Sequence, residues 1–370
     1  MIETISSTST LADRLRERIL REGPMTFCEW MKAALYDERE GYYCRASSTP
    51  WGREGDYRTS PERSSLFAAT FARYFAGLYD KLGGPSEWTI VEAGAGDGRF
   101  AYGVLKTLKE FSPLVFSATR YVIDEIGSDA RSSSLKRLEQ FADRVVFGKL
   151  QEIKVNPGIV FSNELLDAFP VHRLTMQGAI LREFFVDVRP DGAFAWTLST
   201  PSSERILNHF DKSRIELVDG QVAEVNVEIE DWLTAVSTTI TEGYLITVDY
   251  GSDAQDLYSP TARMDGTLRS FKRHSITNDV LADPGGQDLT STVNWTYVKD
   301  VAAKLGFETL EFERQDKFLL SAGLLTQLQL ESERAVDDAE RLRLSTAARE
   351  MILPNGMATS FQVLVQKKGL

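Results

Sequence analysis

An α/β fold built around a parallel sheet is predicted for this chain of 370 residues. Three observations carry that prediction. Short apolar runs alternate with amphipathic stretches from about residue 85, a glycine-rich turn joins the first such run to its helix, and an antiparallel-looking stretch interrupts the alternation after Pro170. The composition is that of an ordinary globular protein, 42% hydrophobic and 26% charged. With 42 Lys+Arg against 54 Asp+Glu the formal net charge is −12. That argues against nucleic acid as a partner, because phosphate binding needs a basic footprint, and it is compatible with a cationic substrate. No apolar run approaches the roughly 18 residues that span a bilayer, so no membrane insertion is expected. The N-terminus lacks a signal-like apolar core and carries Glu3, Asp13 and Glu17, which organelle transit peptides usually lack. Cys28 and Cys44 make no disulfide framework, and three histidines give no zinc spacing. No metal is expected, and the expected location is cytoplasmic.

Taken in order, residues 11–35 read as two helices broken at Gly23-Pro24, with Leu11, Leu15 and Ile19 on one apolar stripe. Residues 41–62 are loop-like, and a helix is predicted over Ser64–Lys81. Thr89-Ile90-Val91 is the first strand, Arg99–Lys109 its helix, Tyr121-Val122-Ile123 the second strand and Ser132–Phe141 the second helix. Val145–Phe147 and Gly158–Ser162 are the third and fourth strands. Residues 171–200 alternate like antiparallel strands around the turn Arg189-Pro190-Asp191-Gly192. A helix at about 224–241 leads to the fifth strand, Tyr244–Val248. Residues 251–290 are loop-rich, Tyr297–Leu305 is helical, 330–350 is one charged helix, and Glu308–Glu313 and Phe361–Gln366 are strands. The expected division is a helical extension with a polar loop over 1–84 and the first half of the core over 85–170. A β-rich insertion over 171–223 follows, then the second half of the core over 224–370, with a loop-rich insertion at 251–295.

The sharpest local signal is Val91-Glu92-Ala93-Gly94-Ala95-Gly96-Asp97-Gly98. Glycines allow positive φ and a close backbone approach to a ligand, and the following helix offers free N–H groups. The spacing departs from the dinucleotide G-x-G-x-x-G, because Arg99 stands where that pattern continues, and no Gly-Lys-Ser/Thr makes a P-loop. A nucleoside also needs an acid at the end of the second strand for its ribose hydroxyls; Asp124 and Glu125 stand there. Glu92, Gly94, Gly96 and Gly98 with that acid fit the pattern of a class I S-adenosylmethionine (SAM) methyltransferase. A dinucleotide site, or a tight turn with no ligand, is the alternative.

Ligands of such sheets lie beyond the carboxyl ends of the strands. The fourth strand ends in Ser162-Asn163-Glu164-Leu165-Leu166-Asp167. Glu164 and Asp167 could pair with a guanidinium, whose planar donors match carboxylates, with Asn163 beside them; alternatively Asp167 caps a short helix ended by Pro170. Asp56, Thr59, Ser60, His274 and Asp288 are further candidates for the substrate side. Their plainer readings are a helix start at Ser60-Pro61-Glu62, a structural histidine and an ordinary turn. His172 is read as structural.

These residues resemble the MidA family of SAM-dependent methyltransferases, comprising mitochondrial complex I assembly factors and their bacterial relatives. The resemblance runs through Gly23-Pro24-Met25-Thr26-Phe27, Gly41-Tyr42-Tyr43, Gly55-Asp56-Tyr57, Thr59-Ser60-Pro61-Glu62, the glycine turn, and Asn163–His172. It continues in Asp249-Tyr250-Gly251, Gly266-Thr267-Leu268-Arg269 and Gly285-x-Gln287-Asp288-Leu289-Thr290, in order over about residues 20–366. Two departures stand out: Ile126-Gly127-Ser128-Asp129 replaces a Ser-Pro pair after the ribose acid, and Gly94-Ala95-Gly96 replaces Gly-Pro-Gly.

The resemblance implies a class I methyltransferase core with an N-terminal helical extension and an inserted small β-rich region. It implies SAM held by Gly94, Gly96 and Gly98, with Glu125 rather than Asp124 on the ribose, and methyl transfer beside Asn163, Glu164 and Asp167. It further implies a protein arginine methyltransferase whose partner is a protein such as a respiratory NADH dehydrogenase subunit. A small-molecule O- or N-methyltransferase, or a non-catalytic assembly factor, is the alternative.

Overall fold

The computed structural model describes residues 9–45, 65–213, 215–272, 275–277, 279–353 and 360–369. Its centre is an eight-stranded sheet. The parallel strands are β2 (Trp88–Ala93), β3 (Thr119–Asp124), β4 (Val145–Phe147), β5 (Gly158–Asn163) and β10 (Gly243–Ser252). The order across the sheet is β15 (Glu308–Arg314), β16 (Phe361–Lys368), β10, β5, β2, β3, β4, with the short β14 (Val293–Asn294) beside β10. Strand β16 runs antiparallel to both its neighbours. The order of strands across the sheet reverses between β2 and β5, so the switch point, where ligands of such sheets bind, lies at the carboxyl ends of these two strands.

Strands buried on both faces must be apolar almost throughout. Ile90, Phe161 and Ile246 face one layer, where α3 (Ser65–Lys81) and α4 (Arg99–Phe111) supply Phe71, Phe75 and Phe100. Phe100 stacks on Phe161 with centroids 4.2 Å apart. Val91, Val160 and Leu245 face the other layer, formed by helices Glu228–Thr239 and Trp295–Lys304.

A second, five-stranded antiparallel sheet interrupts the core. It comprises β6 (His172–Gln177), β7 (Ile180–Val188), β8 (Phe194–Ser199), β9 (Val222–Val225) and the two-residue β1 (Met25–Thr26). Met25 pairs with Val186 and Thr26 with Phe185. Helices α1 (Leu11–Glu22) and α2 (Phe27–Tyr36) each start on a capping box, Thr10 with Asp13 and Thr26 with Glu29. Their apolar stripes share one cluster with Val171, Val186 and Leu289.

Several elements differ from expectation. The second helix starts at Ser128 and ends at Arg137, and a 3-10 turn at Glu139–Phe141 takes up the remainder. The helix expected at 224–241 begins at Glu228, because residues 222–225 complete the inserted sheet. The charged helix expected over 330–350 is two, Leu324–Arg334 and Asp338–Ile352, the second capped by Asp337. The loop-rich 251–290 stretch contains a small sheet of β11 (Arg269–Lys272), β12 (Ser275–Thr277) and β13 (Asp288–Thr290). No described helix is long and apolar enough to cross a membrane.

Candidate active site

The switch-point crevice gathers most of the predicted residues. Gly94, Gly96 and Gly98 all have positive φ, at 71°, 55° and 77°. A Cβ on Gly94 would lie 2.9 Å from Leu165 Cδ1, and one on Gly98 would lie 2.4 Å from Ser134 Oγ. Glycine is therefore favoured by conformation at all three positions and by space at Gly98, and the bare turn is left to meet a ligand with backbone.

Glu125 lies at the end of β3 and spans that turn. Its carboxylate accepts from the Gly96 N–H and from the Gly127 N–H, each at 2.7 Å. Burial raises its pKa and the two N–H bonds oppose that shift. Each carboxylate oxygen keeps lone-pair capacity, so a fixed, oriented acceptor remains for a diol. Asp124 turns away and accepts from the Leu150 N–H at 3.0 Å; burial raises its pKa too. Glu92 lies beneath the turn, 5% exposed, and accepts from the Tyr121 hydroxyl at 2.7 Å. Burial pushes its carboxyl up to about 8, against the pull of that hydroxyl, so it holds a proton at neutral pH.

Across the crevice, Asn163 Nδ2 donates to Glu164 Oε1 at 3.1 Å, and Asn163 Oδ1 is buried without a partner. Glu164 adopts φ 52°, a left-handed conformation that costs a non-glycine residue about 1–2 kcal/mol. Asp167 is 5% exposed and its Oδ1 has no partner. Burial raises its pKa to about 6, while a hydrogen bond with Tyr250 works the other way. Tyr250 and the fully buried Asp249 come from the end of β10. Burial, then the charges of Asp167 and Glu164, push the Asp249 carboxyl well above the usual range. The residues assemble two facing parts, a backbone cradle with a diol acceptor and an acidic group with unsatisfied oxygens. SAM fits that pair: its methionine end suits the cradle, its ribose suits Glu125, and its cationic centre suits the acids.

The remaining candidates are scattered. Asp288, buried on β13, accepts from the Tyr43 hydroxyl at 2.8 Å, tying the 41–45 turn to the site's rim. His172 lies in the inserted sheet, its Nδ1 2.7 Å from Glu183 Oε1. Asp56, Thr59, Ser60 and His274 lie outside the described residues. Sequence reasoning missed Asp249, Tyr36 and Tyr43 as members of the site. The signals were the place of Asp249 at the carboxyl end of the fifth strand and the occurrence of Asp249 and Tyr43 in the resemblance motifs.

Comparisons with known proteins bear on this arrangement. Residues 70–313 match the model of a family of S-adenosyl-L-methionine-dependent methyltransferases. The chain is 29% identical over 330 residues to a Drosophila melanogaster protein named as the mitochondrial protein arginine methyltransferase NDUFAF7 homolog, covering 81% of this chain and 72% of that one. It is 24% identical over 375 residues to Homo sapiens NDUFAF7, named likewise, covering 94% and 81%. A crystal structure of a Burkholderia thailandensis protein bound to S-adenosyl-homocysteine aligns at TM-score 0.85 and 27% identity, over 97% of this chain and 92% of that one. The expected cytoplasmic location does not stand, because these curated relatives are named as mitochondrial proteins. The protein is a methyltransferase with SAM as its cofactor. Its match along the core, the glycine turn with Glu125, and the strand order with its antiparallel β16 agree: the chain belongs to the MidA family of SAM-dependent methyltransferases.

Proposed function

We propose that this enzyme methylates an arginine side chain of a protein partner. The observation that carries the reading is the acidic group at the ends of β5 and β10. Glu164, Asp167 and Asp249 gather there with the unpartnered oxygens of Asn163 and Asp167. A guanidinium is a planar cation with several donors, so two carboxylates and an amide oxygen match its charge and shape. The curated relatives' names point to the same acceptor class. The finer reading of the partner is a subunit of respiratory NADH dehydrogenase.

When bound, SAM supplies a methyl group activated by its sulfonium. Transfer is an in-line displacement, so alignment is the enzyme's main task. In this reading Gly94, Gly96 and Gly98 receive the methionine end with backbone, Glu92 supports the turn from below, and Glu125 holds the ribose. Glu164 and Asp167 orient the guanidinium, and Asn163 Oδ1 accepts one of its N–H groups. A guanidinium nitrogen is a poor nucleophile until its charge is localised or a proton is removed. Asp167, with its pKa near 6, is ionised at neutral pH and takes that proton.

Incubation of the enzyme with SAM and NADH dehydrogenase subunits, followed by peptide mass spectrometry, should find added methyl groups on arginine. Glu164→Ala should abolish them while leaving S-adenosyl-homocysteine binding in place. Methylation of free metabolites with no modified protein would overturn the protein-acceptor reading. A biological effect that survives Glu164→Ala would favour a scaffold.

A further inference from the structure

Residues 164–168 connect β5 to the inserted sheet without regular secondary structure, yet their backbone is anchored from four directions. Asp249 Oδ2 accepts from the N–H groups of Leu165, Leu166 and Asp167 at 3.2, 2.9 and 3.4 Å. Its Oδ1 accepts from the Tyr250 N–H at 2.9 Å. Asn226 Nδ2 donates to the Leu166 carbonyl at 3.3 Å and the Tyr36 hydroxyl donates to the Ala168 carbonyl at 3.0 Å. The Ser291 N–H donates to the Asp167 carbonyl at 2.9 Å. The segment also abuts the cofactor turn, since Leu165 fills the space beside Gly94. A non-glycine residue at positive φ persists only where its surroundings over-determine it, and Asp249 is the densest of these anchors.

We propose that Asp249 is a positioning residue for methyl transfer: its buried carboxyl group fixes the turn 164–167 against the glycine turn and so sets where Glu164 and Asp167 present their oxygens. The inference rests on the reading that these two acids meet the methyl acceptor. A carboxyl group is needed because both oxygens must accept, and the hydroxyl oxygen of its protonated form still can. An amide would turn an NH2 toward one set of N–H donors, either Tyr250 or the three of the turn.

The test is Asp249→Asn in the full chain. Hydrogen exchange of the Leu165, Leu166 and Asp167 amides should quicken by about tenfold, the scale of one lost hydrogen bond. S-adenosyl-homocysteine affinity by calorimetry should hold within about threefold, since the cradle is backbone at Gly94–Gly98. With an arginine-bearing acceptor, kcat should fall by about a hundredfold, the cost of a misplacement near 1 Å, with KM little changed. Unchanged exchange, or an affinity that falls in step with kcat, would overturn the proposal. Should Asp249→Asn fail to fold, Tyr36→Phe and Asn226→Ala each remove one donor to the same turn. Each should lower kcat several-fold with affinity intact, and full activity in both would equally overturn it. The exchange and affinity measurements need no methyl acceptor. Absence of arginine methylation alongside the expected exchange result therefore sinks only the proposed acceptor.

Discussion

The glycine turn at Gly94–Gly98 and the acidic turn at Glu164–Asp167 face each other across one crevice, but they are held in different ways. The first is held mainly by its own backbone: three positive-φ glycines within five positions, one strand before it and one helix after it. Its outside support comes from Glu125, which accepts from the Gly96 N–H, and from Arg137, which donates to the Asp97 carbonyl and carboxylate. The second is held by groups distant in sequence, from Asp249 on β10, Asn226 after β9, Tyr36 at the end of α2 and Ser291 beyond β13. It also concentrates buried carboxyls that disfavour their own ionisation. The difference teaches a division of labour. On the reading proposed above, backbone meets the cofactor, and side chains delivered from many elements meet the methyl acceptor.

That division can be broken most forcefully at Gly98→Val. The new side chain would stand at φ 77° with its Cβ 2.4 Å from Ser134 Oγ. Strain and overlap together cost about 3 kcal/mol, or about a hundredfold in affinity. Calorimetry with S-adenosyl-homocysteine should register that loss, and near-normal affinity would contradict the backbone-cradle view. Asp167→Asn sharpens the opposite half. Its carboxyl, raised to about 6, is charged only above that pH, so the wild-type rate should fall as pH drops through 6. The variant should be slower by roughly a hundredfold at neutral pH and lose that inflection, with ligand affinity unchanged. A matching loss of affinity would mean the halves are not separate. The smallest effect belongs to Glu92→Gln. Because burial raises this carboxyl from 4.5 to about 8, its stability contribution is complete below 4.5 and is lost as pH rises through 8. The neutral variant keeps an acceptor for Tyr121. It should match wild type near pH 5 and unfold at a higher temperature than wild type at pH 8; a difference independent of pH would refute this account.

Legibility followed the same line. The strands at 89–91, 121–123 and 158–162, the glycine turn and the acid after β3 could be read because each signal is local, an apolar run or a spacing within a few residues. The hairpin at Arg189–Gly192 was readable from its turn residues, and β7 and β8 flank it. The break between the helices at 324–334 and 338–352 was hidden because Ala335–Asp337 holds no Gly or Pro, and its signal is the N-cap Asp337 alone, which accepts from the Glu340 N–H. β1 is two residues long and exists only through β7, which no window on 25–26 reveals. Asp249 reads as the polar end of a strand. Its role appears only when β10 lies beside β5 and the carboxylate meets three amides of another segment. Glu92 was legible as a motif acid, but its burial against Tyr121 was not.

The contact between Tyr43 and Asp288 joins positions 245 residues apart. A ribosome adding about 5–20 residues per second would expose the N-terminal tyrosines for roughly 12–50 s before their partner emerges. During that interval the apolar stripes of α1 and α2 also lack Leu281 and Leu289, with which they form one cluster. Nascent chains of this enzyme would therefore present a greasy amino-terminal hairpin to chaperones for most of their synthesis, until β13 emerges to cover it.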